Sequence, residues 1–380
     1  MAGIYIHIPF CRSRCIYCGF YSTTSLDLRQ AYVDALCREM AVRSQETGDS
    51  SQETGVCTIY LGGGTPSQLS IGQLRQIFDT LYIYNKVEPD AEVTIECNPD
   101  DITEAFVESL RPLPVNRVSM GIQTFSDERL RFLHRRHTAA QAVTAVERLR
   151  KAGYDNISID LMYGFPGETL PDWEYNISQA LALGVEHVSA YCLTVEEGTP
   201  LYQLRIKSLE LRDAFPSEET EREMYETLID RLEAAGYEHY EISNFARPGC
   251  RSRHNSSYWD GTPYIGLGAA AHSFDGKRCR QWNISDIHQY IEGMEKGQRI
   301  FESEELDSDT HYNDTLTVAL RTREGLDLAK LSEHHRNYCL REARQFIDSG
   351  LLRLSPDHHL SLTRQGLFVS DMVMSALMWV

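Results

Sequence analysis

Three cysteines near the start of the chain carry the strongest chemical signal in the sequence. Cys11, Cys15 and Cys18 follow one another with the spacing Cys-x3-Cys-x2-Cys, directly after a short β-prone stretch. Three thiolates this close in sequence can bind three iron atoms of one iron–sulfur cube. A cluster that only transfers electrons normally has four cysteine ligands. Three ligands therefore leave one iron open to a substrate or cofactor, and they indicate chemistry at the cluster.

Three other uses of these thiols compete with the cluster. A zinc site normally takes four ligands, often as two Cys/His pairs, and no second pair follows at zinc-finger distance. Disulfides are typical of exported proteins, and the residues ahead of the first β-prone stretch carry no signal-peptide pattern. Free thiols in a loop are the third alternative. The spacing favours the open-cornered cluster, and we expect the other seven cysteines to be small apolar fillers in a reducing compartment.

The composition limits the function classes. At 380 residues, the chain has room for one large domain and one small domain. A net charge of −18 argues against general nucleic-acid binding, which requires a basic face. No apolar stretch approaches the ~20 residues of a membrane span. We therefore expect a cytoplasmic protein.

The first half of the sequence alternates between β-prone and helix-prone stretches. Six such units in series predict an α/β fold with a parallel, barrel-like sheet and helices outside it. A polar loop is expected at Gln45–Gly55, and Ser70 and Ser126 are predicted helix N-caps. The predicted strands are Ile4–Ile8, Cys57–Leu61, Glu92–Glu96, Arg117–Met120, Asn156–Leu161 and His187–Ala190.

Chemically useful residues fall at the ends of these predicted strands. Right-handed crossovers bring the carboxyl ends of all strands to one rim, where barrel active sites lie. Singly, a glycine triplet can be only a turn, and a carboxylate can be only a helix cap. Their shared position predicts one functional site at the rim. The residues concerned are the three cysteines, Gly62–Gly64, Glu96, Gln123 and Asp160.

The stretch from Tyr5 to Cys18 resembles the signature of the radical S-adenosylmethionine (SAM) superfamily. With later blocks, nearly the whole chain is similar to the branch that holds oxygen-independent coproporphyrinogen III dehydrogenases and the heme chaperone HemW family. This resemblance implies a partial (β/α)6 barrel and a [4Fe-4S] cluster on the three cysteines. It also implies that the open iron chelates SAM and that SAM cleavage yields a 5′-deoxyadenosyl radical.

The same resemblance implies a set of SAM-contacting residues. Tyr5 and Tyr17 would flank the cluster and the adenine. The glycines would let the charged amino group of SAM approach the backbone closely, and Arg135 offers a planar fork for a carboxylate. The full set is Tyr5, Tyr17, Gly63, Gly64, Thr65, Glu96, Gln123, Arg135 and Asp160.

Three features favour the chaperone family over the dehydrogenases. Phe20 stands where the dehydrogenases have a fourth cysteine. We also expect no counterpart of their long N-terminal arm. The block from His254 to Trp259 resembles the HNxxYW signature of the chaperones, although they often have Asp where Gly19 stands. The alternative is a dehydrogenase that converts coproporphyrinogen III to protoporphyrinogen IX.

A chaperone assignment implies bound heme, an apo-hemoprotein acceptor and a low-potential electron donor such as flavodoxin or ferredoxin. A histidine beside aromatic residues can ligate heme iron, so His254, with Tyr258 and Trp259, is the first candidate. The alternative for His254 is a buried histidine in a polar network. His7 and His272 are weaker candidates. The remaining paired histidines are expected at the surface: His334, His335, His358 and His359.

We expect residues 1–300 to form the barrel with the cluster, SAM and heme sites, and residues 301–380 to form a small winged-helix-like domain. Residues 191–300 are expected to be less regular. The net negative charge argues against DNA binding by the small domain, which leaves a structural or docking role. Its predicted elements are helices near Tyr312–Leu320 and Asp327–Asp348, a hairpin of Leu351–Leu354 and Leu360–Leu362, and a helix after Thr363.

Overall fold

A computed structural model of the chain describes residues 2–47 and 55–380. Six parallel strands lie side by side in chain order, which confirms the predicted α/β architecture. Most of the expected Gln45–Gly55 loop lies outside the described residues, and its first three residues belong to a helix that ends at Thr47. The six strands are β1 (Ala2–Ile8), β2 (Val56–Gly63), β3 (Val87–Cys97), β4 (Arg117–Gln123), β5 (Ile157–Tyr163) and β6 (His187–Cys192).

Side chains along these strands point alternately to an apolar face and to a polar face of the sheet. In β1, Ile4, Ile6 and Ile8 are at most 1% exposed and belong to the main apolar core. In β5, the intervening residues Ser158 and Asp160 line an internal cavity. Parallel sheets buried on both faces usually have continuous apolar strands. Apolar and polar residues alternate along these parallel strands, and this alternation indicates that the concave side of the sheet has a polar interior.

Helices cover the apolar face of the sheet. Ser70 and Ser126 accept hydrogen bonds from the backbone N–H groups of Gln73 and Arg129, as predicted for N-caps. Capping fixes where each return helix begins, and thereby the length of each rim loop. These helices are α1 (Arg29–Thr47), α2 (Ile71–Tyr84), α3 (Glu104–Leu110), α4 (Asp127–Phe132), α5 (Ala139–Lys151) and α6 (Leu170–Leu183).

The large sheet continues beyond both edges of the six-stranded core, so that twelve strands are joined among the described residues. The expectation of irregular structure in residues 191–300 needs correction, because five short strands lie there. Strands of three to five residues are too short to show a clear period in the sequence. The added strands are β7 (Glu238–Glu241), β8 (Asn244–Ala246), β9 (Tyr264–Leu267), β10 (His272–Phe274), β11 (Cys279–Asn283) and β12 (Phe301–Glu305).

Five helices accompany these added strands: α7 (Pro200–Lys207), α8 (Leu209–Asp213), α9 (Glu218–Ala234), α10 (Arg253–Asp260) and α11 (Ile287–Glu295). Helix α10 matters most for the site, because it begins against β2 and β3. Buried Glu92 of β3 accepts hydrogen bonds from the backbone N–H groups of Arg253 and His254. A carboxylate at a helix N-terminus is favourable for the helix dipole. Described residues include no helix long and apolar enough to cross a membrane.

The C-terminal residues form a small unit with its own apolar core and a three-stranded sheet. Its second long helix begins at Glu333 and not near Asp327, because Asp327 caps a short 3-10 turn at Leu328–Lys330. Its elements are α12 (Ser308–Leu320), β13 (Leu326–Asp327), α13 (Glu333–Asp348), β14 (Leu352–Leu354), β15 (His359–Leu362), α14 (Arg364–Leu367) and α15 (Ser370–Leu377).

His335 in this unit is buried, against the expectation that it lies at the surface. Its ring stacks on Tyr312 with 4.7 Å between centroids, and its Nε2 lies 2.9 Å from a carboxylate oxygen of Asp309. β12 belongs to the large sheet, so we propose that the small unit begins after Glu305 and not at residue 301.

Candidate cluster and cofactor site

One cavity of about 660 Å³ occupies the concave side of the sheet. Its volume falls in the range typical of cofactor and ligand sites. Tyr5, His254, Tyr258 and Trp259 were also predicted to be site residues, but they do not line it. The predicted site residues that line it are Cys11, Cys15, Tyr17, Cys18, Gly63, Gly64, Thr65, Glu96, Gln123, Arg135 and Asp160.

The three cysteines lie in a loop that follows β1 at the carboxyl rim. The N–H of Cys11 donates to the carbonyl of Thr23 at 2.9 Å, which closes the base of the loop. Burial raises the pKa of Cys11 and of Cys18, and the neighbouring thiols raise it further. All three thiols line the same cavity, although the described residues do not hold them as a preformed metal-binding group. Three cysteines on one loop, with no fourth on it, fit three corners of an iron–sulfur cube.

The glycine run after β2 allows the second rim loop to lie against the cysteine loop. Gly64 N–H donates to the carbonyl of Ile8 at 2.9 Å. A Cβ atom on Gly64 would lie 2.7 Å from the carbonyl carbon of Pro9. Gly63 has a φ of 106°, a conformation that favours glycine. These positions therefore require glycine for a structural reason, and the same absence of side chains keeps the cavity wall open beside the thiols.

Gln123 ends β4 in a strained conformation. Its φ is 70° although it is not glycine, and such values are uncommon for other residues. Its side chain folds back over Gly121, where a Cβ atom would lie 2.6 Å from the Gln123 Nε2. Backbone strain of this kind concentrates at functional sites. The strained backbone places the Gln123 side-chain amide on the cavity wall, at the carboxyl end of β4.

Two carboxylates line the wall between the thiols and the floor of the cavity. Glu96 accepts a hydrogen bond from the Tyr60 hydroxyl at 2.7 Å and one from the Gly63 N–H at 3.1 Å. Burial raises the pKa of Glu96 to about 7 and that of Asp160 to about 6. Both groups therefore change charge close to neutral pH. They can accept hydrogen bonds from ribose hydroxyls or attract a cationic group when they are ionised.

Several cavity residues were missed by the sequence analysis. Arg117 begins β4 and is 1% exposed, although an arginine at a strand start usually faces solvent. The polar residues that alternate with apolar ones along each strand are the sequence signal that could have identified these cavity residues. The missed residues with polar side chains on the strands are Tyr60, Arg117, Ser119, Ser158, Ser189 and Tyr191.

Helix α10 closes the concave side below the cavity. His254 is buried, its Nδ1 lies 2.9 Å from the Thr58 hydroxyl, and its Nε2 lies 2.9 Å from the Tyr258 hydroxyl. Its ring stacks on Tyr60 with 5.1 Å between centroids. Burial lowers the pKa of His254 to about 3, so the imidazole is neutral. Both ring nitrogens are engaged, which matches the alternative of a buried histidine in a polar network.

The other predicted heme residues lie in different surroundings. Trp259 packs beneath the guanidinium of Arg321, whose central carbon lies 4.9 Å from the ring centroid. His7 is buried, with its two nitrogens 3.0 Å from the Tyr5 hydroxyl and 3.0 Å from the Tyr21 carbonyl. His272 is exposed on β10 and stacks on Trp282. Only Asn255 of the His254–Trp259 block lines the cavity.

Comparison with known proteins agrees with this architecture. The sequence profile of the radical SAM superfamily matches residues 5–179, and that of the HemN C-terminal domain matches residues 306–369. The heme chaperone HemW of Bacillus subtilis (strain 168) is 38% identical over 339 residues, which cover 88% of this chain and 87% of that protein. The heme chaperone HemW of Mycobacterium tuberculosis (strain CDC 1551 / Oshkosh) is 34% identical over 377 residues, which cover 99% of this chain and 94% of that protein.

One solved structure has the same fold over almost the full length. Coproporphyrinogen III oxidase (HemN) from Escherichia coli, a radical SAM enzyme, superposes with a TM-score of 0.82. The superposition covers 99% of this chain and 89% of that one, at 22% sequence identity. The likeness establishes the fold, including the partial barrel and the small C-terminal unit.

Proposed function

Because the chain belongs to the heme chaperone HemW family of the radical SAM superfamily, we propose that it binds heme and delivers it to an apo-hemoprotein. Its resident cofactors are a [4Fe-4S] cluster and SAM, as in the superfamily. The observation that carries the proposal is that three thiols of one loop line the same cavity as the glycines. The HemW relatives support this function and not the dehydrogenase alternative.

In this proposal, Cys11, Cys15 and Cys18 hold the cluster and leave one iron for SAM. When bound, the cluster supplies the electron that cleaves the sulfonium of SAM. The hydroxyl oxygen of Thr65 lies 3.5 Å from the Cys11 sulfur. Thr65 and the adjacent glycines therefore leave space for SAM beside the thiols. The polar side chains that hold the amino-acid and ribose portions are Glu96, Gln123, Arg135 and Asp160, with Tyr17 beside the cluster.

Tyr5 takes a positioning role here, because its hydroxyl bonds to His7 and does not reach the cavity. His7 in turn bonds to the carbonyl of Tyr21, just after the cysteine loop. Tyr5 therefore acts on the site through His7 and this loop.

We propose helix α10 as the heme-contacting element, with His254 as the axial ligand. A neutral imidazole is the form that binds iron, and burial keeps His254 neutral. Ligation requires that His254 exchange its hydrogen bond to Tyr258 or Thr58 for the iron. The exposed His272 is the alternative axial ligand, because it can bind heme iron without giving up a buried hydrogen bond.

The proposal places the protein in the cytoplasm, where the cluster thiols stay reduced. None of the ten cysteines forms a disulfide. The acceptor is an apo-hemoprotein, and the electron donor is a small low-potential protein of the flavodoxin or ferredoxin class.

Anaerobic reconstitution tests the function, with iron, sulfide and heme measured in one sample. We expect four irons and four sulfides of one cluster, and one heme, per chain. Mixing with an apo-hemoprotein should then move the heme absorption to the acceptor. Cluster-loaded protein that takes up no heme, or that converts coproporphyrinogen III with SAM and a reductant, would contradict the proposal.

A further inference from the structure

The cavity has a second charged end, opposite the cysteines. Arg117 is the first residue of β4, whereas the cysteine loop lies at the carboxyl ends of the strands. Four residues separate Arg117 from Gly121, whose carbonyl accepts a hydrogen bond from Arg135 at 2.5 Å. At ~3.3 Å per residue, the backbone of Arg117 lies about 13 Å along the strand from the carbonyl that Arg135 contacts. Arg135 therefore lies at the carboxyl rim of the cavity, and Arg117 lies at the opposite end, which we call the floor.

Arg117 has no hydrogen-bond or ion-pair partner among residues 2–47 and 55–380, although it is 1% exposed. Its Nε is a buried donor that is left unsatisfied within this part of the chain. Burying an unpaired charge costs more than almost any other polar burial. The charge of Arg117 opposes the rise that burial causes in the pKa of Asp160 and of Glu96, but neither carboxyl bonds to it. A buried guanidinium that lines a cavity without a hydrogen-bond partner indicates a site for an anionic ligand.

Two further donors line the same end of the cavity. Ser119 is two residues along β4 on the same face, and Asn255 comes from helix α10. Neither side chain has a hydrogen-bond partner within the described residues. Two acids on the wall are two and four residues higher than Arg117, since Glu96 pairs in register with Ser119 and Asp160 with Gly121. Neither acid forms an ion pair with Arg117 in the described structure.

We propose that Arg117, Ser119 and Asn255 form a carboxylate-binding subsite at the floor of the cavity. The planar fork of arginine matches the two oxygens of a carboxylate. A serine hydroxyl and an asparagine amide can donate to the same group. The carboxylate can come from SAM or from a propionate of heme.

The observations favour the propionate, an assignment that rests on the proposed function. The amino-acid portion of SAM belongs at the rim, where Arg135 lies beside Cys15. Asn255 neighbours His254 on helix α10, so one helix would contact both the iron and a propionate of the same heme.

Heme and heme dimethyl ester are the probes, because esterification removes both carboxylates and keeps the macrocycle and the iron. Buried charge-assisted bonds of this kind contribute about tenfold or more in affinity. We therefore expect wild-type protein to bind heme about tenfold more tightly than the ester. Arg117→Gln should bind heme as weakly as the ester, and it should bind the ester and SAM as wild type does. Arg353→Gln, at an exposed arginine of β14, is the matched control.

The outcomes separate this inference from the proposed function. If Arg117→Gln binds heme as wild type does, or loses heme and ester equally, the propionate subsite is overturned. If wild-type protein binds no heme, the proposed function fails, and SAM titration then decides. A loss of SAM affinity in Arg117→Gln would support a carboxylate subsite for SAM, and unchanged affinity would overturn the subsite.

Folding is controlled separately. Because Arg117 makes no hydrogen bond or ion pair, its removal orphans no bonded partner. It does remove a cation that favours ionised Asp160, so the melting temperature of ligand-free Arg117→Gln is compared with wild type at pH 5, where this effect is smallest. Ser119→Ala tests the same subsite with a smaller change. It should weaken heme binding several-fold and leave ester binding unchanged.

Discussion

The guanidinium of Arg135 donates a hydrogen bond to the sulfur of Cys15, with 3.6 Å between Nη1 and Sγ. Its Nη2 donates to the side chain of Asn98 at 2.8 Å and to the carbonyl of Gly121. One side chain thus joins the cysteine loop to the ends of β3 and β4. The contact links the two halves of the proposed site, in which Cys15 binds iron and Arg135 binds the carboxylate of SAM.

Cys15→Ala should abolish cluster loading without unfolding the barrel. Cys15 is a loop residue, and its loss removes one of three iron ligands. Iron and sulfide per chain measure the effect, and the melting temperature measures the fold. The control is Cys192→Ala, since Cys192 lines the same cavity and is not on the cysteine loop. Equal loss of iron in both variants would contradict the assignment of ligands.

Gly64→Ala should reduce cluster loading although it changes no ligand. The new Cβ would lie 2.7 Å from the Pro9 carbonyl carbon and 2.8 Å from the Ile8 carbonyl oxygen. Backbone atoms cannot move aside as a side chain can, so the cysteine loop must shift, at a cost of about 1–3 kcal/mol. Anaerobic reconstitution should therefore give a markedly lower iron content.

The matched control for that change is Gly72→Ala in helix α2, where the nearest heavy atom to a Cβ is 3.9 Å away. Alanine in a helix interior is favoured over glycine by about 1 kcal/mol. Gly72→Ala should load the cluster fully and melt at an equal or higher temperature. Full cluster loading in Gly64→Ala would show that the loop does not depend on the glycine run.

SAM affinity should rise with pH between 6 and 8. Burial raises the pKa of Glu96 to about 7, so about a tenth of this carboxyl is ionised at pH 6 and about nine tenths at pH 8. If the ionised form binds SAM, affinity increases about tenfold over this range. Equilibrium binding to cluster-loaded protein measures it.

Glu96→Gln should bind SAM weakly and flatten most of that dependence. The remainder belongs to Asp160, whose pKa is raised to about 6 by burial. Glu128→Gln, at an exposed carboxylate of α4, should keep the wild-type profile. A wild-type profile in Glu96→Gln would remove Glu96 from the SAM site.

His254→Ala should lose heme affinity by tenfold or more while it keeps the cluster. The comparison is Thr58→Val, which removes the hydroxyl that lies 2.9 Å from His254 Nδ1 and preserves the imidazole. Since ligation requires His254 to give up a hydrogen bond, Thr58→Val should bind heme at least as tightly as wild type. Both variants lose a buried hydrogen bond, so both should be destabilised by about 1–3 kcal/mol. Heme titration followed at the Soret band measures binding.

Equal heme affinity in His254→Ala and wild type would contradict His254 as the ligand. In that case His272→Ala becomes the informative variant, because His272 is the exposed histidine beside an aromatic ring. Loss of heme in Thr58→Val and His254→Ala alike would point to damage of helix α10 and not to ligation.

The sequence was sufficient to predict the parallel architecture and the rim site. Apolar residues in β1 and β5 recur with the period of a strand, and the stretches between them have helical periodicity and capping residues. The glycine run and Glu96 lie at the carboxyl ends of β2 and β3, and the cysteines follow β1, so topology alone brings them to one rim. Short-range patterns of this kind do not depend on distant contacts.

The sequence could not predict which polar residues are buried by contacts with distant parts of the chain. Arg117 is 1% exposed inside the folded sheet, and nothing local in the sequence distinguishes it from an exposed arginine. The hydrogen bond between His254 and Thr58 joins residues 196 positions apart in the chain. His335 is buried because Tyr312 stacks on it from another helix.

Electron paramagnetic resonance of the reduced, anaerobically reconstituted protein, recorded with and without SAM, tests the central claim most directly. That claim is that three cysteines hold a cluster with one open iron. We predict a [4Fe-4S] signal that changes when SAM is added in wild-type protein, and no such signal in Cys15→Ala. A fully ligated cluster whose signal ignores SAM, or a zinc-loaded protein without sulfide, would contradict the account.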